Sequence, residues 1–276
     1  MPTLKQIDEA LQEGKSLKAI TQAYSEIANL KLKRIRGEVE RNRLFFKEIS
    51  SVYGLVKALA IRKKVIVTKQ KKTLSVILTS NYRFYGNINS DLIDFFISST
   101  SKLNTDRLLI NKAAIDYFKA RPIFPNCQQV MLKKDTPDGL ELKALVDTIK
   151  EYTQVLIYYS SLKSLLVQIP TVADITASSI QPQENKDFRF IFEPELPKVL
   201  EFFDSSILTL LLEGTFLESE LSRTASRFIS MDSAQTEANK FIKEYEKLKA
   251  FSKRNMDNNT ILENFAIMSA VRKEVL

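Results

Sequence analysis

Histidine and tryptophan are absent, cysteine occurs once, and glycine and proline number only 6 and 8 among 276 residues. Each shortage excludes something. Without histidine the chain lacks the commonest general base and the commonest metal ligand. The single Cys127 can neither close an internal disulfide nor join a Cys–His pair, and a reducing compartment is its simplest setting. A conventional enzyme is therefore not expected. Few glycines and prolines leave few breaks, which favours long helices. No run approaches the ~18–20 apolar residues of a membrane span; the nearest, Ile207 to Leu212, is short and lies beside acidic residues. The opening stretch, with Asp8, Glu9 and Glu13, reads as neither a signal peptide nor a typical transit peptide.

What is present is an ordinary globular balance, 44% hydrophobic and 27% charged, enough for one good-sized domain or a modest domain with extended elements. The net charge of +8 is uneven: residues 1–72 hold 17 Lys and Arg against 7 Asp and Glu, residues 73–276 hold 24 against 26. The basic end is expected to meet something acidic, the alternative being a solvated basic face.

Three parts follow from periodicity. Residues 1–60 read as a helix: Ile35, Val39, Asn42, Phe46, Ile49, Tyr53 and Val56 recur at the alternating four-three spacing of a coiled-coil seam. Leu17, Ile20, Tyr24 and Ile27 repeat it one register earlier, with a skip near Lys31. Residues 61–192 alternate strands with helices. The strands are Val65–Thr68, Leu74–Leu78, Asp106–Ile110, Gln128–Leu132, Gln154–Tyr159, Leu165–Ile169 and Phe188–Phe192; the helices span 89–99, 111–120 and 138–151. That order suggests an α/β sandwich on a mostly parallel sheet. Residues 193–276 form a second long helix, with Pro197 in its first turn and a seam through Leu217, Leu221, Thr224, Phe228, Met231, Gln235, Ala238, Ile242 and Tyr245. Helices of roughly 80 and 120 Å would pair as one antiparallel coiled coil, a rod with a knob at one end.

Specific residues carry a family resemblance. Ala19-Ile-Thr-Gln-Ala-Tyr-Ser-Glu-Ile-Ala-Asn-Leu-Lys-Leu-Lys33 is similar to the pattern K-I-T-x-A-M-x-x-V-A-x-x-K-L-R, with Tyr24 in place of methionine. Ser80-Asn-Tyr-Arg-Phe-Tyr-Gly-Asn-Ile-Asn89 resembles S-D-R-G-L-C-G-G-L-N, sharing Ser80, Gly86 and Asn89. Glu193-Pro194, Glu218-Ser-Glu220, Arg227, Met231-Asp-Ser-Ala234 and Ala238 resemble the entry and seam of the same family's last helix. Beyond Ile242 the family pattern has no clean counterpart. The three stretches resemble, in order, the γ (central stalk) subunits of F-type ATP synthases and related rotary ATPases.

The resemblance implies a Rossmann-like middle domain and a shaft inside a ring of alternating α and β subunits. An ε-type subunit would sit beside the knob, and a membrane rotor ring beneath it. The chain would be peripheral to the cytoplasmic face of a bacterial plasma membrane, non-catalytic, and free of cofactors. It would couple rotation to conformational change during ATP synthesis or hydrolysis, or serve a specialised ATPase not used for synthesis. Implied ring contacts are Ile20, Thr21, Tyr24, Ile27, Lys31, Lys33, Arg34, Arg36, Arg227 and Met231. Against this, Tyr24 and Met231 also read as plain coiled-coil core, the four cations as a solvated face, and Arg227 as a partner for Glu220 or Glu237. Ser80, Gly86 and Asn89 read as a folding turn rather than an anion site, since neither G-x-x-x-x-G-K-[ST] nor G-x-G-x-x-G occurs. The rival class is a basic coiled-coil nucleic-acid-binding or scaffold protein. It explains the charge and the rod but not the α/β middle or the ordered motifs.

Overall fold

The computed structural model describes residues 2–62, 72–176 and 195–274. The expected strands Val65–Thr68 and Phe188–Phe192, and Glu193-Pro194, lie outside these residues. In order come α1 (Leu4–Arg62), β1 (Thr73–Leu78), α2 (Ile88–Thr100), β2 (Asp106–Ile110) and α3 (Lys112–Ala120). Then follow β3 (Gln128–Val130), α4 (Gly139–Ile149), β4 (Gln154–Leu162), β5 (Gln168–Asp174) and α5 (Leu196–Glu274). Contacts divide the chain into two compact units, Ala28–Arg227 and Met1–Ile27 with Phe228–Leu276.

The larger unit holds a sheet in the order β3-β2-β1-β4-β5. The first four strands are mutually parallel, and β5 runs antiparallel to β4. β1 is flanked on both sides, Leu74 facing Asp106 of β2 and Val155 of β4. Its side chains alternate as a strand requires: Leu74, Val76 and Leu78 join the core under α4 and α5, while Ile77 joins the core under α2 and α3. A parallel strand covered on both faces is close to uniformly apolar. The buried polar exception, Ser75, is satisfied by a 3.0 Å hydrogen bond with the Thr105 hydroxyl. α4 starts with a capping box between Asp138 and Glu141.

Strand bounds differ from expectation: β3 stops at Val130, short of Leu132, and β4 runs past Tyr159 to Leu162. Leu165–Ile169 straddles a turn, closed by Lys163 N–H donating to the Val167 carbonyl (3.1 Å), and only its last two residues belong to β5. Leu165, Leu166 and Val167 are exposed. β5 instead continues through Pro170, a residue tolerated near sheet edges.

In the same unit α1 packs against α5. Tyr53, Val56 and Ala60 meet Leu196, Leu200 and Ile207. Tyr53 donates to Asp204, Arg43 pairs with Glu218 at 2.6 Å, and Lys31 pairs with Glu220. Numbers fall on one helix as they rise on the other, so the pairing is antiparallel.

The smaller unit is also antiparallel. Asp8 pairs with Lys249 at 2.5 Å, and a Cβ at Gly14 would lie 3.0 Å from Phe241 Cδ1. Here the expected seam is corrected. Leu17, Ile20, Tyr24 and Ile27 are 50, 55, 40 and 59% exposed, whereas Ile7, Leu11, Gly14 and Thr21 are buried. The four-three spacing therefore runs without a skip near Lys31. It passes through residues too small to stand out as apolar, and those small residues let the helices approach closely. Met231 and Ala238 are buried, as their seam positions require, while Phe251, Met256, Ile261, Leu262, Phe265 and Met268 are exposed.

Phe96 is fully buried between the sheet and the α2–α3 layer, edge-on to Phe118 and Tyr158. Phe96→Ala is expected to lower unfolding free energy by about 3–5 kcal/mol in urea titration. A loss under about 1 kcal/mol would show that this layer is not close-packed.

Candidate functional site

The expected contact residues separate into two groups. Ile20, Tyr24 and Ile27 form, with Leu17, an apolar stripe facing away from the buried seam. Lys33 and Arg36 are exposed on α1. Lys31 pairs with Glu220 and Arg34 with Glu38 (2.9 Å). Both line a groove of about 440 Å³ with Lys134, Glu213 and Phe216. The others turn inward. Thr21 is 3% exposed, its hydroxyl donating to the Leu17 and Lys18 carbonyls, and Met231 is 8% exposed.

Arg227 bonds neither Glu220 nor Glu237. Its guanidinium lies 4.2 Å from the centre of the Tyr85 ring and donates to the Arg83 carbonyl. Glu220 and Glu237 take Lys31 and Lys240 instead. The expected turn residues do come together. Asn89 Nδ2 donates to Ser80 Oγ at 2.8 Å, Ser80 donates to the Tyr82 carbonyl, and Gly86 sits at φ 57°. That left-handed conformation suits glycine. Phe84 holds φ 66° in the same loop.

These residues border a buried polar cluster where β1, β2 and β3 end. Thr79 and Asn111 directly follow β1 and β2, Asp135 lies in the loop after β3, and the three are 0, 0 and 4% exposed. Asn111 adopts φ 74°, ψ 166°, a conformation costly for any side chain but glycine's. Its bonds hold it there. Its amide donates to the carbonyls of Thr79 (3.0 Å) and Asp135 (3.4 Å), and its Oδ1 accepts from Leu132 N–H and Asn81 Nδ2. The Asp135 carboxylate accepts from the Asn81 N–H and the Tyr85 hydroxyl, each at 2.6 Å.

Into this cluster α5 inserts Arg223, only 2% exposed, which donates to the carbonyls of Thr79 (3.0 Å) and Asp135 (3.3 Å). Three further bonds join α5 to the sheet layer: Ser226 to the Tyr85 carbonyl, Ser222 with Ser160, and Tyr159 to Glu218. Sequence reading singled out Arg227 and passed over Arg223. The available signal was composition: Ser219, Ser222, Ala225 and Ser226 place small residues all round Arg223, where a solvated helix face would carry long polar ones.

Burial, and then the neighbouring carboxylate, push the hydroxyls of Tyr85 and Tyr159 well above the usual phenol range; burial and Asp204 do the same for Tyr53. No helix among the described residues is long and apolar enough to cross a membrane.

Comparison with known proteins gives one consistent result. A family model described as ATP synthase matches residues 3–252. The ATP synthase gamma chain of Pelotomaculum thermopropionicum is 25% identical over 256 residues, covering 88% of this chain and 89% of its own. That of Staphylococcus saprophyticus is 21% identical over 264 residues, covering 88% and 90%. Among solved structures, the central stalk and c-ring of Tetrahymena thermophila mitochondrial ATP synthase includes a chain similar at TM-score 0.58 and 20% identity, over 78% of this chain and 99% of that one. A chain of Euglena gracilis mitochondrial ATP synthase reaches 0.54 at 14% identity, over 88% and 95%. At these identities the structural likeness speaks for the fold.

Two outcomes are expected of the cluster. Asn111→Ala should lose about 3 kcal/mol of stability, while Asn111→Gly should lose roughly 1 kcal/mol less, because glycine relaxes the backbone. Equal losses in denaturant titration would mean that φ at 111 carries no strain. Tyr53, Tyr85 and Tyr159 should stay protonated in the folded chain at about pH 11 and ionise on unfolding. Their contribution is complete below the ordinary phenol pKa and is lost as pH rises through the folded values. Tyrosinate absorbance of native and denatured chain at that pH measures it, and identical spectra would refute it.

Proposed function

Since the chain belongs to the ATP synthase gamma-chain family, we propose that it is the central rotor shaft of an F-type ATP synthase or ATPase. In this role it couples rotation to conformational change at catalytic sites on other subunits. The observation that carries the reading is the match over residues 3–252 on a chain with two long terminal helices flanking an α/β sheet. Each compact unit contributes antiparallel pairing to such a shaft. The chain acts by binding: a shaft shifts the states of its ring only as far as it binds them differently.

The ring-facing surface is the exposed stripe of Ile20, Tyr24 and Ile27, with Lys33 and Arg36 as cations toward acidic ring loops. Thr21 and Met231 serve the seam, and Arg227 serves the Ser80–Asn89 loop. The partners are α and β subunits of the catalytic ring, an ε-type subunit and the membrane rotor ring. The chain is held at the cytoplasmic face of a bacterial membrane through that complex, performs no chemistry itself and binds no nucleic acid.

The test is co-purification from the host, with native mass and subunit content. A complex in which α and β outnumber this chain and which hydrolyses ATP supports the shaft. Unfamiliar membrane subunits would mark a specialised ATPase, and a free monomer or a nucleic-acid complex would overturn the reading. Within the complex, Ile20→Asp combined with Ile27→Asp should leave thermal stability of the isolated chain nearly unchanged, because both sites are already exposed. Affinity for the α–β ring should fall about tenfold or more. Unchanged affinity would remove the stripe from the interface.

A further inference from the structure

We propose that Arg223 is the joint that locks α5 in rotational register with the sheet, so that torsional load between the α/β layers and the long helix passes through it. The inference rests on the shaft reading and adds a residue and a location to it. Apolar contacts also hold α5 against the sheet, through Leu208, Leu212 and Phe216. Such contacts are non-directional and resist sliding or twisting weakly. Directional bonds resist both. Arg223 sends two nitrogens of one planar guanidinium to two carbonyls, that of Thr79 directly after β1 and that of Asp135 in the loop between β3 and α4. The Asn111 amide, at the end of β2, donates to the same two carbonyls. A turn of α5 about its axis would break both arginine bonds together.

The neighbouring bonds flank this point within α5. Glu218 and Ser222 reach Tyr159 and Ser160 of β4, and Ser226 reaches the loop after β1. Stability alone does not account for a cation here. Its Nε is buried without a partner among the described residues. Buried ionic groups are often replaceable by well-packed apolar residues at no loss of stability. What an apolar residue cannot supply is a fixed azimuth against these two carbonyls.

The experiment uses the membrane holoenzyme of the host carrying Arg223→Met or Arg223→Lys in this chain. ATP hydrolysis and the ion gradient built per ATP are measured in the same vesicles, with the melting temperature of the complex alongside. The expected result is near-parental hydrolysis with the gradient per ATP reduced at least about fivefold in Arg223→Met. Arg223→Lys should also lose gradient per ATP, because a flexible ammonium lacks the planar fork that fixes direction against both carbonyls. Ser160→Cys with Ser222→Cys, whose hydroxyl oxygens lie 2.9 Å apart, gives a disulfide that should restore the gradient to Arg223→Met when oxidised and not when reduced. Parental coupling in both variants would overturn the joint. So would parallel losses of hydrolysis, gradient and melting temperature that oxidation does not reverse. Failure of the parental chain to assemble with a hydrolysing ring would overturn the shaft reading itself, and the joint with it.

Discussion

Thr79, next after β1, and Asp135, in the loop after β3, are buried, and a buried carbonyl must find a donor. Much of the larger unit is arranged around that requirement. In most parallel sheets the strand ends open toward solvent, where water satisfies them. Here α5 lies against the Thr79 and Asp135 carbonyls, so the donors come from protein. Asn111 supplies one amide at the cost of an unfavourable backbone conformation, and Arg223 supplies two nitrogens from the helix itself. Asn81 N–H and the Tyr85 hydroxyl then donate to the Asp135 carboxylate, which ties the loop from Ser80 to Asn89 to the cluster. That loop in turn carries the ring on which Arg227 rests.

Much of this architecture was legible beforehand because its signals are local. Asp106–Ile110 is a strand of β-favouring and apolar residues, and the observed β2 has the same bounds. The seam through Ile35, Val39, Tyr53 and Val56 is made of large apolar residues, and it is buried as spaced. The failures share a physical origin. Toward the N-terminus the buried seam uses Gly14 and Thr21, while the large apolar residues lie on the opposite side. Periodicity sees size and hydropathy, not which face a partner covers. At Pro170 a local rule against proline in strands lost to the position of β5 at the end of the described sheet. Arg223 was passed over for a related reason: its role depends on residues more than eighty positions away in sequence, and its small neighbours give a signal that names no partner.

The helices also show a division of labour along their length. Where α1 and α5 accompany the sheet, ion pairs and hydrogen bonds such as Arg43–Glu218–Tyr159 join three elements at once. In the smaller unit Gly14 lies close against Phe241, and Asp8 pairs with Lys249. Directional bonds are thus concentrated where α5 meets the sheet.

The exposed stripe on α1 has a consequence for how the cell must handle this chain. Leu17, Ile20, Tyr24 and Ile27, together with Ile261, Leu262 and Phe265 near the far end of α5, leave apolar surface in water that soluble monomers ordinarily hide. Before assembly such surface invites self-association and chaperone capture. Synthesis in excess of its partners would yield inclusion bodies or proteolysis, not a reserve of ready subunits. Its expression must keep pace with theirs, so the stoichiometry of the machine is written partly into the solubility of its unassembled shaft.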